Sequence, residues 1–109
     1  MAIRIEEEKK TKDPTYRKEQ VAEYYNYAGV QHFELGQLDE ALTHYELAIE
    51  NDRGKGMHHY NKALVKSRQD CVKEAIESYN KAIACIEQNE TDYLYQAHFN
   101  IGVCYRRDG

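Results

Sequence analysis

Five histidines and three cysteines are the residues of this 109-residue sequence best suited to hold a metal or to act as nucleophiles. A zinc site needs such ligands one helical turn apart and converging with others. His58 and His59 are adjacent, so on a helix their side chains diverge by about 100°. His98 and Cys104 are six residues apart, a poor fit to one face. His32 and Glu34, two residues apart, do not face each other. Cys71 falls at a predicted helix start, where the helix dipole can lower a thiol pKa. Cys85 and Cys104 read as small core residues. A catalytic nucleophile also needs a positioned base and an oxyanion pocket, and no motif supplies either. Gly54 and Gly56 in "RGKG" make a turn and not a phosphate loop. These residues predict no catalytic site, no metal and no cofactor.

The elements that would position any site are therefore the more informative level. A formal charge of −4, with 31% charged and 41% hydrophobic residues, describes one domain with a mixed-charge surface. It offers no global basic face for nucleic acid or an anionic membrane. No apolar run is long enough to span a bilayer, and Met1–Lys10 lacks the apolar stretch of a signal peptide. An odd number of cysteines without a CxxC pair predicts reduced thiols and a cytoplasmic setting.

One proline and abundant Ala, Glu, Leu, Lys and Gln predict helix throughout, with no useful strand alternation. Residues 1–13 form a charged leader whose composition suits a solvated segment and an extra helix about equally. Asp13-Pro14 opens a first helix that Gly36 can stop. Asp39-Glu40 opens a second, whose apolar positions Leu38, Ala41, Leu42, Tyr45, Ala48 and Ile49 share one face. "NDRGKG" is a turn by composition. A third helix is predicted over about 57–68, a fourth over about 72–88, and a fifth capped by Thr91 or Asp92.

Two stretches share the skeleton Glu-Ala-(Leu/Ile)-x-x-Tyr-x-x-Ala-Ile. Ala41 and Ala75 lie 34 residues apart, as do Tyr45 and Tyr79, and Ala48 and Ala82. A fixed period of helix, short turn and helix marks a helical-hairpin repeat. On these residues the sequence resembles the tetratricopeptide repeat. Tyr25, Ala28, Gly29, Gly36, Ala41, Tyr45 and Ala48 carry the resemblance in a first copy. Asn61, Ala63, Ala75, Tyr79 and Ala82 carry it in a second, and Asn100, Gly102, Tyr105 and Gly109 in a partial third.

The resemblance implies an all-α, right-handed superhelical array of antiparallel hairpins, with five helices in about two and a half repeats. The domain would cover 14–109, with repeats at about 22–55 and 56–89 and a half repeat at about 95–109. Tyr25, Tyr45, Tyr79 and Tyr105 would be structural. Lys66 replaces a usual aromatic, and Gln69-Asp70 replaces a Leu-Gly turn, which predicts a less typical second hairpin. Ala63 and Gly102 lie 39 residues apart. That spacing predicts a fourth helix about one turn longer, or a wider loop after it. The apolar character of Ile101, Val103, Cys104 and Tyr105 suggests a fragment of a longer array, or an end covered by another chain.

The resemblance also implies a non-catalytic scaffold or adaptor, binding a partner peptide or helix along a concave face built from the first helix of each hairpin. That face would present Asn26, Val30 and Phe33, then Met57, Tyr60, Leu64 and Arg68, then Phe99, Val103 and Arg106. Glu23 and Glu34 add acid at one end, and Arg107 adds base at the other. A clamp for acidic chaperone tails would need a Lys and Asn set of which only Asn61 is present, which argues against such a tail. RNA binding fits less well, because Glu23, Glu34 and the net charge oppose it. A second reading is an architectural subunit that self-associates through its third repeat.

Overall fold

Pro14, which has no N–H to leave unsatisfied, sits at the first position of α1 (Pro14–Glu34). The computed structural model describes residues 14–89 and 94–108, with side chains through 85 and over 96–107. The predicted leader 1–13 and the caps Thr91 and Asp92 lie outside them. Four further helices follow: α2 (Leu38–Asn51), α3 (Gly56–Arg68), α4 (Val72–Asn89) and α5 (Leu94–Asp108). No strand occurs among the described residues.

The helix ends are set by local chemistry. At Gly36, φ is +77°, the left-handed conformation that only glycine adopts at no steric cost. The Gln37 N–H then reaches back to the His32 carbonyl at 2.9 Å, and the Gly36 N–H to Phe33 at 3.0 Å. These two bonds satisfy carbonyls that the helix end would leave open. The second hairpin closes in the same way. Asp70 takes φ +61°, Cys71 N–H donates to Lys66 at 2.9 Å, and Asp70 N–H donates to Ser67 at 3.2 Å. The expectation of an atypical turn at Gln69-Asp70 is corrected, because aspartate tolerates the left-handed region well enough to copy the glycine stop. Lys66 is also accounted for: its Nζ lies 2.8 Å from Glu74 Oε2 on α4, tying the hairpin with an ion pair where an aromatic would pack.

Helix α1 packs on α2 and α3 packs on α4, making two hairpins; α2 with α3, and α4 with α5, join them into a row. Alanines are fully buried at 22, 41, 48, 63, 75, 82 and 97, where the helices approach closely. Tyr45, with Ala41 and Val65, centres one apolar cluster, packed by Val30, Phe33, Leu38 and Leu42. Tyr60, Ala63, Ala75, Tyr79, Ala82, Ala97 and Cys104 form the other. Gly29 shows why a small residue is needed inside a hairpin: a Cβ there would lie 2.5 Å from the Tyr45 ring. Burial, then Glu34 nearby, pushes the Tyr45 hydroxyl up to about 12.

Three packing expectations change. Tyr105 is 56% exposed, because no described helix packs on its side of α5, and Tyr25 is only half-buried. Cys85 is half-exposed, whereas Cys104 is buried as expected. Helix α4 has 18 residues against 14 in α2, so about one extra turn of helix accompanies the longer spacing.

The molecule measures 57 × 29 × 18 Å, with a radius of gyration of 15.4 Å. A globular domain of this size has about 13 Å. Elongation follows from hairpins that touch only their neighbours.

Candidate binding groove

Helices α1, α3 and α5 lie side by side, and the polar contacts between them repeat. Asn61 Nδ2 donates to Asn26 Oδ1 at 2.7 Å, and Asn26 Nδ2 reaches Met57 Sδ at 3.7 Å. One hairpin further on, Asn100 Nδ2 donates to the Tyr60 hydroxyl at 3.0 Å, and that hydroxyl donates to Gln96 Oε1 at 3.4 Å. Nearer the helix C-termini, the Arg68 guanidinium stacks 5.1 Å from the Phe33 ring centre. Arg107 bonds the carbonyl and hydroxyl of Ser67 and pairs with Asp70. Each first helix is thus fixed to the next at two heights.

These contacts sort the ten expected groove residues. Asn26 and Tyr60 are each 8% exposed. They are engaged between helices, which differs from the expected free groove surface: aligning the first helices requires partners for their buried polar atoms. Val30 and Phe33 are half-buried against the Tyr45 cluster, and Leu64 against the Tyr60 cluster. Met57 and Val103 are half-buried, while Arg68 and Arg106 are exposed. Phe99 is 65% exposed and borders a concavity of about 370 Å³ with Tyr60, Gln96 and Asn100. Phe33, Arg68, Leu64, Phe99, Val103 and Arg106 keep accessible surface along this row of helices.

Its electrostatics are uneven. Glu23 at the start of the seam is paired with Lys55. At the C-terminal ends of the first helices the side chains are Glu34, Arg68, Arg106 and Arg107, so positive charge grows from α1 toward α5. That gradient favours carboxylates beside Arg68 and Arg106.

Sequence reasoning missed His58. It is fully buried, and neither ring nitrogen meets a partner among the described residues. Burial lowers its pKa; Glu23 and Asp52 oppose that, while Lys55 and His59 add to it. His59 is 8% exposed and donates from Nε2 to the Arg53 carbonyl at 2.9 Å; burial lowers its pKa too. His32 stacks on His44, with ring centres 4.8 Å apart, and its Nδ1 bonds Gln37 at 2.6 Å. The one available signal for His58 was its place one period after Tyr24, on the face that docks onto the preceding hairpin. Among the described residues no three His, Cys, Asp or Glu side chains gather to hold a metal ion.

Residues 22–55 match the family model of the tetratricopeptide repeat. Over these residues the chain is similar to a tetratricopeptide repeat. The matched segment runs from Ala22 in α1 through α2 to Lys55, which takes in the Gly29–Tyr45 contact and the Gly36 stop. Tetratricopeptide repeats are in general modules for protein–protein interaction and not catalysts. No curated protein matches this sequence. No helix among the described residues is long and apolar enough to cross a membrane.

Proposed function

We propose that this chain is a non-catalytic scaffold that holds a segment of another protein along the concave side of its first helices. The observation that carries this reading is the seam of accessible apolar and cationic side chains on α1, α3 and α5, held by paired contacts at two heights. A preformed surface of this kind loses little entropy on binding, and exposed aromatic rings beside guanidinium groups make efficient anchor points. The partner segment is an extended or amphipathic helical stretch with apolar anchors for Phe99 and Leu64, and carboxylates for Arg68 and Arg106. An odd number of cysteines without a CxxC pair supports a cytoplasmic setting for this activity.

Panning a displayed peptide library on the purified chain tests the reading. Enriched peptides should share apolar anchors next to acidic residues. Their affinity should fall about tenfold or more in Arg68→Glu and in Phe99→Glu, the loss expected for a central anchor. Lys62→Glu, on the side of α3 facing Lys81 and Glu46, should leave it unchanged. Equal binding by Arg68→Glu and wild type would remove the groove as the site. Tyr60 and Asn26 make poor probes, because their burial confounds binding with folding.

A further inference from the structure

Among the described residues, His58 is the one fully buried side chain whose polar atoms all lack a hydrogen-bond partner. Buried polar atoms in native folds are nearly always bonded, so an orphaned imidazole marks a place held under tension. We propose that His58 is an acid-operated latch: a proton taken up by its ring parts α3 from α1 at the height of Asn26 and Asn61, and leaves the junction between α3 and α5 closed.

The ring lies in the junction that those two asparagines cross. Met57, next to His58 in α3, receives Asn26 Nδ2 from α1 at 3.7 Å, and Asn61, one turn on, donates to Asn26 Oδ1 at 2.7 Å. The charges around the ring come from every element at this junction. Glu23 comes from α1, Asp52 and Lys55 from the turn after α2, and His59 from α3 itself. Lys55 already pairs with Glu23, and no carboxylate bonds the imidazole. A neutral ring tolerates this place at the cost of unmade hydrogen bonds. An imidazolium does not, because its charge and its two N–H donors meet no acceptor there. Parting the helices admits water and frees the two carboxylates to face the cation. Further along α3, Val65 is fully buried in the Tyr45 cluster, which confines the opening to the N-terminal half of the helix.

The next junction lacks the device. At the matching place in α5 stands Ala97, also fully buried, with no ionisable group. Asn100 nevertheless bonds Tyr60 there as Asn61 bonds Asn26. The same side-chain amide thus sits in two junctions, one with a buried histidine and one without.

In the opened junction the ring regains its ordinary pKa of 6.5, which closure lowers. Opening therefore grows as pH falls below 6.5, by up to about tenfold at pH 5.5 relative to pH 7.5. The latch acts on the row of first helices that the proposed groove uses. Its test needs no peptide, so either reading can fail alone.

Nuclear magnetic resonance on the purified chain between pH 7.5 and 5.5 tests this, through solvent exchange of side-chain amide protons compared with free asparagine at each pH. Protection of the bonded Asn61 amide should fall about three- to tenfold over that range, while that of Asn100 stays within about twofold. In His58→Leu the Asn61 amide should lose most of this fall. His58→Gln, polar but without a titrating proton, repeats the check should leucine disturb the packing. His59→Gln should keep the wild-type fall. An Asn61 amide whose protection does not change with pH overturns the proposal. So does an equal fall at Asn100, which marks unfolding of the whole array, or an undiminished fall in both His58 variants.

Discussion

Gly29 and Gly102 occupy the same motif position in successive copies and differ in what faces them. A Cβ at 29 would drive into the Tyr45 ring, whereas one at 102 would meet open space. Gly29→Ala should therefore cost about 1–3 kcal/mol in urea denaturation, the range for overpacking a close contact. Gly102→Ala should instead raise stability by about 0.5–1 kcal/mol, since alanine loses less entropy in a helix. Gly36→Ala should cost about 1–2 kcal/mol from backbone strain alone, because φ is +77° with nothing near the Cβ position. His58 adds a pH dependence. Its folded pKa is lowered from the ordinary 6.5, so the unfolded chain takes up the proton first as acid is added. Stability should be intact above pH 6.5 and fall progressively below it, toward the folded-state pKa. His59 acts in the same direction, so His58→Leu should make this fall shallower without abolishing it. The same substitution should raise stability at neutral pH by about 1 kcal/mol, by removing an unsatisfied buried polar group. Chemical denaturation at a series of pH values reads both effects.

At the scale of elements, helix existence was legible because each signal was local. Pro14, Gly36 and the acidic start at Asp39-Glu40 act within one turn, and the structure places α1 and α2 within a residue or so of the predicted limits. Asp70 was misread because a left-handed aspartate looks like a failed glycine in sequence, yet its backbone makes the same pair of bonds. Asp70 also pairs with Arg107, linking the turn after α3 to the end of α5. Arg107→Ala should consequently loosen the last turns of α5, seen as faster amide exchange there. Global stability should change by no more than about 1 kcal/mol, as the pair is exposed. Exchange in α2, which Arg107 does not contact, should stay unchanged.

The whole molecule is an elongated row whose hairpins touch only their neighbours, and its properties follow from that. Stability in such arrays is a sum over units and junctions, so damage at one junction stays local. Small-angle scattering at high dilution should give a radius of gyration near the 15.4 Å of the single chain.

The sequence by itself determined the helical class, the hairpin period and the close-packed alanines, because periodicity and small-residue spacing are properties of the chain alone. It also offered candidate groove residues on the first helices. Only the tertiary structure decided which of them remain accessible. Asn26 and Tyr60 share their helix faces with Phe33 and Phe99, but the next helix in the row covers them and leaves Phe99 open. His58 lies beside Asp52 and Glu23 with its ring sealed from water, though nothing in its sequence neighbourhood distinguishes it from exposed His98. Burial depends on what lies across the junction between hairpins, and that neighbour is some thirty residues away along the chain.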